Sequence, residues 1–189
     1  MAQLNELIPL VQQKCTGVLE FMALEHLKKA YRKFCTESSY VTELKELTKV
    51  DGVIELTAPE GFYVSKVCYI DDPSGTELKE GDDYSITLEN VITLSDSYDT
   101  VIVCCSIVPI ISMPNDFTIS TQIINKWPEQ MAAGAASSLR ALPNTTYSDM
   151  AKSQDYDREF TEGYREAYQA VQQAISNRHI NSKSTRVFF

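Results

Sequence analysis

The hydrophobic period of the chain switches twice. Leu4, Leu7, Ile8 and Val11 fall on one side of a short helix predicted over Ala2–Gln13, with Pro9 marking a kink. Thr16-Gly17 turns the chain into a longer helix, Val18–Thr36, on which Phe21, Leu24, Leu27, Tyr31 and Phe34 form one stripe. Lys28, Lys29, Arg32 and Lys33 are expected mostly on the opposite, wet face. Between Tyr40 and Val50 the pattern is ambiguous and reads weakly as extended chain. From Asp51 to Ile111 the period drops to two. Strands are predicted over Val53–Thr57 and Tyr63–Ile70, with turns at Asp71–Gly75 and Glu80–Asp83. Tyr84, Ile86 and Leu88 alternate, Glu89-Asn90 turns, and Ile92 and Leu94 alternate back, which predicts a hairpin. Thr100–Ile111 is the most apolar strand and the expected centre of the sheet, with Pro109 at an edge or bulge.

Helical spacing then returns. Ile119–Asn125 is helical, and Pro128 forces a fresh start near Trp127, itself expected in the core or at a helix junction. The next helix, around Met131–Leu142, is built from small residues, with Met131, Ala135, Leu139 and Leu142 on one face. Thr145–Ser153 reads as a polar loop, and a last helix runs from about Gln154 to Asn177 with Tyr156, Phe160, Gly163, Ala167, Val171 and Ala174 as its stripe. Gly134, Ala135 and Gly163 are candidate packing positions, where a neighbouring backbone comes close either within the subunit or between subunits. The expected fold is α+β: residues 1–50 and 113–178 form a helical bundle, 51–112 an inserted small antiparallel sheet or sandwich, and 179–189 an extended arm.

Charge divides the chain further. Of 189 residues, 17 are basic and 26 acidic, a net of −9. Residues 51–116 hold 2 basic and 13 acidic side chains, whereas the last twelve hold 3 basic and none acidic. The acidic block is either a solvated surface or a wall that must not retain a polyanion. The overall sign argues against a general nucleic-acid binder, whose affinity comes from cations neutralising phosphates. Five cysteines without a CxxC spacing, behind an N-terminus interrupted by Glu6 and Glu20, fit reduced thiols in a protein made in the cytoplasm. The longest apolar run, Val101–Ile111, is too short for a membrane-spanning helix.

Chemistry is sparse. Cys35 and His26 on one helix are about 13 Å apart at 1.5 Å per residue, too far to form a nucleophile–base pair. Cys104 and Cys105 point to opposite faces of a strand and read as core thiols. Asp71, Asp72, Asp82 and Asp83 sit on turns without the spacing of a calcium loop. No metal-ligand spacing or glycine-rich phosphate loop is present, so the reading is that the protein is not an enzyme and needs no cofactor. In the tail, Arg178, Lys183, Arg186, Val187, Phe188 and Phe189 are candidate partner-binding residues, able to order by docking on a neighbour.

A distributed pattern over most of the chain resembles the head–tail adaptor (connector, or head-completion) proteins of tailed bacteriophages. It comprises LNELIPLV at the start, AYRKFC at the end of the long helix, Asp51-Gly52 before a strand, Pro59 and Gly61, Gly75 and Leu78 ahead of Tyr84, AAGAASSLRALP, and Phe160, Gly163 and Ala167. Arg186–Phe189 resembles the arm that closes such chains. Tyr147-Ser148 departs from the pattern, which carries a tryptophan after the proline, and the polar loop from Asn144 is longer than the pattern has it. The resemblance implies a homo-oligomeric ring, usually twelve-fold, in the virion neck between portal and tail. The arm would meet the portal or a neighbouring subunit, other contacts would go to tail or nozzle proteins, and DNA would pass the lumen without specific binding. Two alternatives stand: another tail-tube or baseplate subunit, or a small cytoplasmic enzyme.

Overall fold

A computed structural model describes residues 2–87 and 90–182, with side chains up to Asn177. The fold is mixed α+β. The chain forms two compact units: the chain up to Ser38 with Pro109–Val171, and Ser39–Val108 with the chain from Gln172 onward.

The first unit starts with strand β1 (Ala2–Gln3), then a 3-10 turn at Leu4–Leu7 and helix α1 (Ile8–Lys14). Pro9 therefore lies in the first turn of α1 rather than at a kink inside a longer helix. At that position its missing N–H has no helical partner to lose. Helix α2 (Glu20–Ser38) buries Leu24, Leu27, Tyr31 and Phe34 as expected, together with Ala23, Ala30 and Cys35. Phe21 does not join them and is 64 % exposed. Lys28 departs the other way. It is buried, and its Nζ donates to Glu25 Oε1 and Asn115 Oδ1, both at 2.7 Å. The reason is the return segment from the sheets, which lies along this side of α2: Arg32 Nε donates to the Pro109 carbonyl and Tyr31 faces the Phe117 ring. A lysine head kept within reach of a carboxylate and an amide tolerates such cover.

In the second unit, strand β2 (Thr42–Thr48) is followed by β3 (Val53–Glu55), β4 (Phe62–Asp71), β5 (Tyr84–Ile86), β6 (Val91–Leu94) and β7 (Thr100–Pro109). Two three-stranded sheets result, ordered β2-β7-β4 and β3-β6-β5. The predicted hairpin is β5–β6, antiparallel with Ile86 opposite Ile92, and the predicted central strand is β7. Residues 39–50, grouped with the helices in the sequence reading, belong here because β2 pairs antiparallel with β7 along its whole length, from Thr42↔Ser106 to Thr48↔Thr100. Ile54, Val64, Ile70, Leu78, Ile92, Leu94, Val101, Val103 and Cys105 form one core drawn from both sheets, which makes the pair a small sandwich. The turn after β4 is fixed by Asp72, whose carboxylate accepts from Ser74 N, Ser74 Oγ and Thr76 N. The Ser74 hydroxyl and these backbone donors hold Asp72 below the usual carboxylate range.

Back in the first unit, strand β8 (Thr118–Ile119) pairs with β1, and α3 (Thr121–Lys126) and α4 (Pro128–Arg140) follow. Trp127, almost fully buried, closes α3 and starts α4 with Pro128 as its first residue. Helix α5 (Met150–Ser182) begins four residues earlier than its apolar stripe suggests, because Asp149 accepts from the Lys152 amide and serves as an N-cap. At its other end α5 continues through residues 179–182, which the sequence reading gave to the arm. On α5, Phe160, Gly163 and Ala167 are buried, while Ala174 is exposed.

Candidate interaction surfaces and the helix junction

The small-residue helix brings α4 and α5 together through two glycines. A Cβ on Gly134 would lie 2.7–2.9 Å from three atoms of the Phe160 ring, and one on Gly163 would lie 2.6 Å from Gln130 Cβ. Real Cβ atoms do not approach that closely, so both glycines are needed for the α4–α5 approach within one chain. Ala135, between them in role, is fully buried. The Phe160 ring is boxed by Tyr164 at 5.5 Å and Phe34 at 6.5 Å between centroids, with Lys33 Nζ 5.5 Å above it.

A second junction gathers charge at the end of α1. Arg140 Nε and Nη2 donate to the Lys14 carbonyl and Nη1 to the Tyr147 carbonyl, with Asp149 3.9 Å away. A guanidinium thereby satisfies the last carbonyl of one helix and the loop before another, which its forked donors suit and an ammonium does not. Lys14 Nζ in turn reaches Glu129 at 3.2 Å and Glu159 at 3.3 Å, joining α1 to α4 and α5. Burial alone would lower the Lys14 pKa, but the two carboxylates outweigh it and raise the value. No spacing in the sequence foretells this cluster, because its members come from three helices and a loop.

Chemistry of the thiols is muted. Burial pushes Cys15 up against the opposing effect of Arg140, drives Cys35 to about 12 and Cys105 to about 11. Cys68 is raised by hydrogen bonding to Cys104 and by burial. A thiol held protonated is a poor nucleophile. His26 does meet a hydroxyl, at 2.6 Å from its Nδ1, on Ser138 of α4. The Ser138 hydroxyl also has the Ala135 carbonyl as an acceptor at 2.9 Å, and the imidazole tautomer sets which partner donates between Ser138 and His26. That arrangement ties α2 to α4. No group of three or more His, Cys, Asp or Glu among the described residues is placed to hold a metal, and no described helix is long and apolar enough to cross a membrane.

Burial, then Lys29, lowers the His26 pKa against the weaker opposite pull of Glu25. The folded chain therefore prefers neutral His26. Its contribution to stability is complete above the unfolded value, near 6.5, and is lost as pH falls from there toward the folded value. His26→Gln keeps a polar partner for Ser138 without titrating. Urea midpoints are expected to show the wild type losing stability relative to His26→Gln between about pH 7 and pH 5; parallel curves would contradict the assignment.

Apolar side chains are exposed at one end of the helical unit. Leu19 and Phe21 open α2 and Met150 opens α5, exposed by 58, 64 and 60 %. They share an end because Gly17 lies against Thr146 and the Tyr147 hydroxyl contacts Met22 Sδ at 3.8 Å. Scattered single apolar residues are ordinary on a surface; three large ones at one end make that end a candidate docking surface. Of the residues proposed from sequence for partner binding, the Arg178 side chain and all of Lys183, Arg186, Val187, Phe188 and Phe189 lie outside the described residues. The sequence reading missed the patch, since it assigned Phe21 to the core stripe. No protein-family model matches the chain, and no curated protein matches it significantly.

Proposed function

We propose that the protein is a structural virion component, a head-to-tail adaptor that assembles as a ring on the portal and joins the capsid vertex to the tail. The observation that carries this reading is the apolar end formed by Leu19, Phe21 and Met150 on a helical unit. A surface of that kind is costly to leave in water and is suited to burial against a partner. The order of elements supports it too: helices before and after an inserted sandwich are what the resemblance to adaptors leads one to expect. In this reading the helices form a bundle that packs side by side around the ring, closing through a heterologous interface. The sheet segment of the second unit, Ser39–Val108, holds 4 basic and 14 acidic residues, a net of −10. Placed toward the channel or the outside, such a surface does not retain DNA. A tail-tube or baseplate subunit is the rival assignment, and portal and tail proteins offered in parallel separate the two.

The test is Phe21→Ser combined with Met150→Ser. Both residues are exposed, so circular dichroism and the thermal midpoint are expected to change little. Binding to purified portal, followed by negative-stain electron microscopy, is expected to fall by about tenfold or more, as for loss of buried anchors. Undiminished binding would count against the apolar end as the docking face.

A further inference from the structure

We infer that the groove between the edges of the two sheets receives the Arg186–Phe189 segment of a second copy of this chain. The groove has a volume of about 520 Å³ and runs beside β2 and β3, each the outer strand of its sheet. Its apolar lining comes from Leu47, Val50, Val53 and Ile54, and its acidic lining from Asp51 and Glu55. Val50 is 70 % exposed, so apolar surface is on offer. Among the described residues neither Asp51 nor Glu55 makes an ion pair, so both carboxylates are open to a cation. Lys45 Nζ already sits on the Thr57 carbonyl at the rim, at 2.7 Å, and an occupant that brings apolar bulk next to positive charge suits the Asp51 and Glu55 side of the lining.

The sequence contains one such stretch beyond the last described helix: Ser184-Thr185-Arg186-Val187-Phe188-Phe189. A guanidinium pairs with carboxylates in forked geometry, and adjacent aromatic rings bury large apolar area for few frozen torsions. Edge strands also present backbone groups to an extended segment. The seven residues from Lys183 to Phe189 reach about 23–25 Å when extended. The net charge of −10 on Ser39–Val108 favours the encounter with a basic segment. This rests on the ring reading only in requiring that copies touch, and it names where they do so.

The full chain carrying p-benzoylphenylalanine at position 188 is mixed with ¹⁵N-labelled wild type at the highest soluble concentration and irradiated. Cross-linked peptides are expected to pair an unlabelled 188 peptide with a labelled peptide covering residues 47–57. Glu55→Arg in the labelled partner is expected to reduce that product about tenfold, the size of one charge-assisted contact, and Arg186→Glu in the photoreactive copy to restore it. Cross-links confined to one isotope, mapped elsewhere, absent, or insensitive to Glu55→Arg would overturn the inference. If the portal still recruits the protein when these cross-links are missing, the groove assignment fails and the adaptor reading stands. If the cross-links form but no portal binds, the groove assignment stands and the adaptor reading fails.

Discussion

Gly134→Val is expected to destabilise the protein by about 3 kcal/mol, and Gly134→Ala by about 1–2 kcal/mol, although alanine is the better helix former by about 1 kcal/mol. The sign is set by space. A methyl group at this position would stand 2.7 Å from Phe160 Cδ2. The ring cannot withdraw, because it is 2 % exposed and held by Phe34, Tyr164 and the Lys33 ammonium. Either α5 moves away from α4 or the ring leaves its rotamer, and both cost more than the propensity gain. Phe160→Leu would relieve the clash at its own packing cost, so the double variant with Gly134→Ala is expected to be more stable than the sum of the single effects, by about 1 kcal/mol. Denaturant midpoints at constant slope measure all three. A neutral or stabilising Gly134→Ala would mean that α4 and α5 are not held at this distance.

Arg140→Met is expected to cost about 2–3 kcal/mol, and Arg140→Lys to recover less than half of it. The guanidinium is only 13 % exposed and its partners are carbonyls on separate segments, Lys14 at the end of α1 and Tyr147 before α5. Losing it leaves a helix-terminal carbonyl without its donor and removes a cation from above the Tyr156 ring. A lysine offers one centre of charge and cannot reach both carbonyls in the same geometry. The Lys14 network with Glu129 and Glu159 matters less, since both carboxylates face solvent. Chemical denaturation of the two variants at pH 7 checks the ranking. Equal stability of Arg140→Met and wild type would remove this junction from the account.

Much of the architecture was legible because local pattern and tertiary need agree. Ile86, Ile92 and Leu94 alternate in sequence and alternate in the hairpin; Pro128 interrupts the helical period and begins a helix. Legibility failed where the partner is distant. Val41, Leu44 and Leu47 repeat with a helical spacing, yet the open edge of β7 makes Thr42–Thr48 a strand and leaves Leu44 exposed. Lys28 looked solvated until the segment from Pro109 to Asn115 covered it. The two-residue strands β1 and β8 carry too few positions for any period to show. His26 meets Ser138 across 112 residues, and no spacing rule foretells such a pair. Candidate surfaces suffer most. A period says which residues can share a face, but Phe21 obeys the period and still stays in water, because among the described residues none covers its side of the first turn of α2.

The central claim is that the molecule acts by packing against copies of itself and a larger partner. Electron microscopy of the wild-type protein mixed with purified phage portal tests it most directly. The account predicts a closed ring of this chain seated on one face of the portal, with its helical units toward the portal. Particles in which the portal stays bare while the protein remains monomeric would contradict it.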